Sequence, residues 1–355
     1  MANGDTQSLA PEFRVRINGS ELPPATAAMV QSVTVDQDVT VPAMFTVDLV
    51  DQDLTHPDTT WADADLFAPG GEAEILLGYT GKLLSVMKGE ITGLEPEFRS
   101  GEIPRLVVRG HDRRHRLQRG RGTRSFTQVK DSDVASQIAQ AAGLTPQATD
   151  TGAVLDYLLQ HNQTDLEFLE ERARRLGYEV AIDGKTLYFR PHGNDGSAAL
   201  TLARDLDLLE FQPRLTTLGQ VGKVTVQGWS VKDKEAITGQ AAAGDLGTTM
   251  GGSDSGPQAA DQAFGAAAAA VVGRPVFSQD EADAMALGQL ERTALSYVTG
   301  EGMVIGRPDL VAGTVIEITG FGRRFSGLYY VISARHSYTP ARGYRTAFAV
   351  RRNAT

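Results

Sequence analysis

Apolar and polar residues take turns along most of the first hundred positions. "FRVRING" (Phe13–Gly19) alternates and closes on Asn18-Gly19, two residues that tolerate positive φ, so it predicts a strand running into a hairpin. "QSVTVDQDVTVPAMFTVDLVD" (Gln31–Asp51) predicts two further strands, with Val33 and Val35 on one face of the first and Phe45, Val47 and Leu49 on one face of the second. "EAEILLGYTGKLLSVMKGEITGLEPEF" (Glu72–Phe98) and "IPRLVVRG" (Ile103–Gly110) continue the pattern with glycine-marked turns, and a short helical turn fits "TTWADADLF" (Thr59–Phe67). Residues 11–110 therefore read as a barrel or sandwich and not as an α/β unit.

The period changes after residue 130. In "DSDVASQIAQAAGL" (Asp131–Leu144), Asp131 or Ser132 can cap a helix, Val134, Ile138 and Ala141 share a face, and Gly143 ends it. "TDLEFLEERARRLGY" (Thr164–Tyr178) carries a Thr164/Glu167 capping box, an apolar stripe of Leu166, Leu169, Ala173 and Leu176, and Gly177 at C′. "YEVAIDGKTLYFR" (Tyr178–Arg190) predicts two strands joined by a type I′ turn at Asp183-Gly184. Strands resume over 200–232. Half of the forty residues from Ala236 to Pro275 are Ala or Gly, which bury little area per residue ordered, so this stretch is expected to be a flexible excursion. A helix with a Ser278/Glu281 capping box follows, and the chain closes on strands.

Residues 72–110 and 313–352 resemble each other. Each has a strand ending in Gly-aromatic (Gly78-Tyr79, Gly320-Phe321), a second strand opened by glycine (Gly89, Gly327) and a last strand ending in Val-Arg (Val108-Arg109, Val350-Arg351). A repeat at so long a period points to a duplicated domain rather than a solenoid.

Composition narrows the classes. With 355 residues the chain has room for two or three domains, and 41% hydrophobic with 22% charged residues is ordinary for a globular protein. A net charge of −10 opposes general attraction to DNA or anionic lipid. The sequence has no cysteine, which removes disulfides, thiol nucleophiles and thiolate zinc sites. Its start, "MANGDTQSLAPEF", lacks the pattern of a signal peptide, and its longest apolar run, "AAAAAVV", is too short for a membrane span. Synthesis in the cytoplasm is the expectation.

Against that acidic background "RGHDRRHRLQRGRGTR" (Arg109–Arg124) is strongly basic. It has no aromatic residue for base stacking and no recognition-helix pattern, and Asp131 and Asp133 follow it, so arginines pairing with acids of a neighbouring subunit are the expected use. The candidate inter-subunit contacts are Arg113, Arg114, Arg116, Arg119 and Arg121. His111 and His115 lack a third ligand and read as solvated histidines, and His336 as a hydrogen-bonded structural residue. "DGKT" (Asp183–Thr186) joins two strands and is no phosphate loop. Glu95 and Glu97 share a strand face and are the one acid pair a glycosidase could use. No catalytic residue, cofactor site or metal site is otherwise assigned.

"VRGHDRRHRLQRGRGTRSFTQVKDSDVASQIAQAAGL", "LLQHNQTDLEFLEERARRLGYEVAIDGKTLYFRP" and "GRPDLVAGTVIEITGFGRRFSGLYYVISARHSY" resemble, in that order, the phage late control D family, which contains baseplate hub proteins of contractile tails and injection systems. The hub part of type VI secretion spike proteins is similar. The resemblance implies a mainly β chain with an α+β insert and two tandem tube-like β-barrel domains: 1–110 as the first, 111–199 as connecting arm and insert, 200–235 with 298–355 as the second, and 236–297 as the excursion and its helix. It implies a homotrimer whose six barrels form a pseudo-sixfold ring. That ring would adapt the hexameric inner tube protein to a trimeric spike, touch baseplate wedge components and line the conduit. The chain stops at Thr355, so a separate spike protein is expected, with no enzymatic activity, cofactor, specific nucleic acid or membrane segment. The alternatives are a cell-wall glycan hydrolase and a transcriptional regulator.

Overall fold

A computed structural model of the chain describes residues 10–51, 61–230 and 234–355. The beginning of the chain, on which the leader expectation rests, and Thr59 and Thr60 of the expected helical turn lie outside the described residues. The rest of that turn forms two short 3-10 segments, Trp61–Asp63 and Asp65–Phe67.

The first β half holds β1 (Pro11–Ile17), β2 (Ser20–Glu21), α1 (Pro24–Ala28), β3 (Val30–Asp38), β4 (Met44–Val50), β5 (Glu72–Tyr79), β6 (Lys82–Glu97) and β7 (Arg105–His111). The insert follows with α2 (Arg114–Leu117), β8 (Gly122–Val129), α3 (Asp131–Ala141), β9 (Thr145–Ala148), β10 (Leu155–Gln163), α4 (Asp165–Leu176), β11 (Tyr178–Asp183) and β12 (Thr186–Pro191). Then come β13 (Thr201–Ala203), β14 (Leu208–Leu215), β15 (Lys223–Ser230), β16 (Glu235–Ala242), α5 (Gly256–Phe264), β17 (Ala268–Val271) and α6 (Gln279–Ala294). The second β half closes with β18 (Val298–Ile305), β19 (Val315–Thr319), α7 (Gly322–Phe325), β20 (Gly327–Thr339) and β21 (Gly343–Arg352).

The chain is mainly β, and its largest sheet spans both halves, in the order β14-β18-β21-β20-β3-β4-β7-β6-β5-β1-β2, with β19 and β13 continuing from β20. Alternation explains why. Val33, Val35, Phe45, Val47, Leu49, Leu106 and Val108 turn to one side and pack with Ile75 and Leu77 as the core of the first half. Val298, Val304, Phe348 and Val350 do the same in the second, with Tyr329, Ile316 and Ile318.

The two halves repeat one strand order. β5-β6-β7-β4-β3 in the first matches β19-β20-β21-β18-β14 in the second, and two bulges correspond, although the β5–β6 bulge at Ile75/Leu76 has no counterpart between β19 and β20. Register slips at Ile91/Gly93 and Val331/Ser333 on the long middle strand, and at Val30/Ser32 and Leu208/Glu210 on the outer one. One difference is that β1 joins β5 antiparallel whereas β13 joins β19 parallel. The glycine marks of the repeat are less regular than the strands, since Gly327 opens β20 but Gly89 lies inside β6.

Several local expectations need correction. α3 starts at Asp131 with Lys130 as N-cap, and Ala135 and Ala139 fill its buried face in place of the exposed Ala141. The β11–β12 turn has Gly184 and Lys185 as its two loop residues; only Gly184 has positive φ, so it is not an Asp-Gly type I′ turn. The Ala/Gly-rich stretch is no flexible excursion: β16 and β17 flank β15 in a separate sheet, and Val224, Val226, Ile237 and Ala241 pack beneath α6 through Ala282, Met285 and Ala286. Small residues permit this because they let elements approach closely. A Cβ on Gly239 would lie 2.2 Å from the Ala282 carbonyl carbon, and one on Gly288 would lie 2.4 Å from the Gly177 nitrogen. β15 therefore belongs to this sheet and not to the main one.

The capping box expected for α4 forms in full, and that expected for α6 forms only in half. The Thr164 hydroxyl accepts from the Glu167 amide while Glu167 accepts from the Thr164 amide, and Gly177 ends α4 at φ 70°. In α6 the Ser278 hydroxyl accepts from the Glu281 amide, but the Glu281 carboxylate reaches the Phe277 amide instead of Ser278.

Candidate assembly site

The basic strip lies where β7 leaves the first half and α2 leads into the insert. Its geometry starts from one acid. Glu90 sits in β6 opposite Glu72 of β5 and His111 of β7, with only 3% of its side chain exposed. A carboxylate so enclosed needs cations, and the strip supplies them. Arg113 Nε donates to Glu90 at 3.2 Å, Arg116 Nε at 2.8 Å, and His115 Nε2 lies 2.9 Å away. Burial pushes the Glu90 carboxyl up, but the hydrogen bonds from Arg116 and His115 and the nearby Arg113 charge outweigh it and hold it down to about 2.

Arg113 also reaches Glu72 at 2.6 Å and the Gly184 carbonyl at 3.2 Å, so it fastens the first half to the β11–β12 turn. Arg114 grips Asp112 through Nε at 3.0 Å and Nη2 at 2.8 Å and donates to the Asp38 and Val180 carbonyls. Asp112 in turn accepts from the Ala43 amide. Both arginines are 5% exposed, so they are internal staples, and the expectation that Arg113 and Arg114 contact another subunit is overturned by their burial in their own chain. The remaining three lie at the surface. Arg116 is half-exposed and held by Glu90; Arg121 donates to the Asn162 carbonyl and Glu167; Arg119 has no partner among the described residues.

Of the histidines and acids singled out by pattern, His115 sits against Glu90 instead of in solvent and the others fall elsewhere. His111 Nδ1 lies 2.8 Å from the Thr92 hydroxyl, so His111 and His115 have separate partners. Among the described residues no group of side chains could hold a metal ion. Glu95 is exposed and clasped by Arg109 at 2.8 and 3.0 Å, which holds its carboxyl below the usual range. Glu97 pairs with Arg99. Glycoside hydrolysis needs a carboxylic acid with a raised pKa, and Glu95 is shifted the other way.

His336 is fully buried, with Nδ1 2.8 Å from the Tyr344 hydroxyl. Burial depresses its pKa to about 4, against which Asp309 acts weakly. A histidine held neutral contributes stability that is complete above its unfolded pKa of about 6.5 and is lost as pH falls toward 4, up to about 3 kcal/mol. Denaturant midpoints should fall over that interval, and His336→Gln should remove most of the slope; an unchanged slope would contradict the assignment.

Pattern reasoning missed two polar clusters that tie the insert to its neighbours. Arg172 clasps Asp131 at 2.5 and 2.9 Å, and Arg172 and Arg175 both reach Glu281 of α6, at 3.5 and 3.0 Å. Glu179 of β11 accepts from the Tyr330 hydroxyl of β20 and from Arg190 at 3.0 Å. A signal was present for the first: Arg172 follows Phe168 by four and Leu169 by three, on the apolar face of α4.

The sheet face opposite the two cores is mostly polar or small, with Met44, Val107 and Met303 among its side chains. Asp36 of β3 pairs with Arg335 of β20 at 3.3 Å, Asp48 with Arg105, and Glu95 with Arg109. Thr34, Thr46, Ser333, Ser337, Ala347 and Ala349 alternate out on the same face. A groove of about 750 Å³ runs across it, lined among others by Asp36, Glu210, Glu301 and Arg335.

This architecture is that of phage tail proteins. The chain superposes on the 43 kDa tail protein of prophage MuSo2 from Shewanella oneidensis with a TM-score of 0.69 at 14% identity, covering 97% of this chain and 98% of that one. The tail protein of Neisseria meningitidis MC58 gives 0.68 at 14% identity, covering 96% of each. The E. coli c3393 protein, described as a component of the type VI secretion system similar to T4 tail proteins gp27 and gp5, gives 0.62 at 13%, covering 96% of this chain and 77% of that one. By family, residues 7–340 match the model of the Alg8 N-terminal domain, and the chain belongs to that family. The matching model is thus not that of late control D; what the expected relationship and the findings share is the tail-protein fold. No curated protein matches the chain.

Proposed function

We propose that the chain is the structural hub of a contractile injection system or phage tail, without catalysis. Three copies form a ring that mates the sixfold inner tube to a threefold spike and lines the conduit. The observation that carries this reading is the repeated strand order, two bulges included, within one continuous sheet. One chain with two equivalent modules lets threefold association present six similar units. The first tube-like module is residues 1–110 and the second draws on 200–215 and 298–355, with the insert and the β15–α6 unit outside. The sheet face with its cross-strand ion pairs supports a conduit wall, because its charges are balanced strand to strand.

Arg119 and Arg121 remain the strip's candidates for contact with another subunit or a baseplate component. The test is light scattering of the purified chain, alone and with the tube protein of its own particle. The expected result is a three-chain species that binds tube. Arg119→Glu with Arg121→Glu should lower its yield without changing the unfolding free energy by more than about 1 kcal/mol. A chain that stays single and ignores the tube protein would contradict the hub.

A further inference from the structure

Resting on the hub reading, we propose the interface between copies: the outer edge of β14 adds to the free edge of residues 93–98 of the next copy, the end of β6 and the residue after it, antiparallel, with Glu95 opposite Arg214. The argument comes from a junction already present inside the chain. β3 of the first half pairs with β20 of the second, Arg335 opposite Asp36, His336 opposite Val35 and Tyr338 opposite Val33. By strand order and bulges, β3 corresponds to β14 and β20 to β6. Counting from the bulges, Gly93–Phe98 matches Ser333–Tyr338, and Glu210–Leu215 matches Ser32–Gln37. The same junction between copies then sets Leu94 against Leu215, Glu95 against Arg214, Pro96 against Pro213 and Phe98 against Phe211.

Three observations fit that register. β14 pairs with β18 alone, and β6 beyond Glu90 pairs with β7 alone, so both edges are open. The charge pair is preserved with its signs exchanged, Glu95/Arg214 for Arg335/Asp36, and Arg214 is exposed with no partner among the described residues. Phe98, 65% exposed, is the counterpart of Tyr338, which packs on the core of the first half and lies 5.0 Å from the Phe13 ring. Phe98 would find the equivalent seat near Phe211 of the next copy, whose ring packs against the second core.

Pro96 and Pro213 meet at one position of this register. Proline is tolerated in a strand where its missing N–H faces an open edge. Across the junction this pair therefore donates no main-chain hydrogen bond. Side chains and the flanking main-chain bonds carry the specific contact.

The absence of native cysteine makes the test direct. In the full chain carrying Glu95→Cys and Arg214→Cys, oxidation should give a ladder ending in a closed species of three chains on a non-reducing gel. Either single variant should give no ladder, and mixing the two single variants should give two-chain species only. The off-register pair Glu97→Cys with Arg214→Cys should link at least tenfold less. A three-chain mass in light scattering without the Glu95/Arg214 link would overturn this interface and leave the hub standing. A one-chain mass without the link would overturn it too, since a disulfide traps even brief encounters, and would count against the hub as well.

Discussion

Glu90→Gln is expected to lower the unfolding free energy by about 3–5 kcal/mol, because it removes the one buried anion around which Arg113, His115 and Arg116 gather. The amide keeps the size of the side chain and loses its charge. Arg113 stays enclosed, and the partly exposed Glu72 is then its remaining anion. The pH dependence has a definite sign. The Glu90 carboxyl, held near 2 in the folded chain, contributes stability that is complete above its ordinary value of about 4.5 and disappears as pH falls toward 2. Denaturant melts of wild type and variant at neutral pH and at pH 3 should therefore converge on acidification. A neutral-pH loss below about 1 kcal/mol would mean that the strip is a solvated surface and not a staple.

Arg172→Met should cost a similar amount, about 3–5 kcal/mol, for a sharper reason. The methionine fills the space of the arginine stem but leaves Asp131 without its clasp and Glu281 with Arg175 alone, two buried carboxylates at the meeting of α3, α4 and α6. The triple variant Arg172→Met, Asp131→Leu, Glu281→Leu should recover much of the loss, since an apolar cluster needs no charge compensation. If Arg172→Met alone melts like wild type, these charges do not hold the helices together.

What the sequence disclosed follows from which forces are local. Alternation at Val33–Val35 and Phe45–Leu49 and the Thr164/Glu167 box depend on neighbours in the chain, so strands and caps could be read directly. The long-period likeness of 72–110 and 313–352 foretold two β halves of one strand order, although its glycines align less well than its bulges. The Ala/Gly-rich stretch misled because low area per residue was equated with mobility. In the fold those small residues are what lets β16 lie against α6, as Gly239 at Ala282 demonstrates. The arginine strip was legible as charge but not as destination. Its anions, Glu90 and Glu72, are more than twenty residues upstream in strands, and only the pairing of β5, β6 and β7 brings them to Arg113.

The central claim is a ring of three copies, each supplying two equivalent β modules, at the junction of tube and spike. Electron cryomicroscopy of the assembled particle tests it most directly. The account predicts three copies in one layer between the last tube ring and the spike, with six β modules around the channel, β3 against β20 within each chain and β14 against β6 between chains. A layer holding six copies, or one copy with a single module facing the channel, would contradict it.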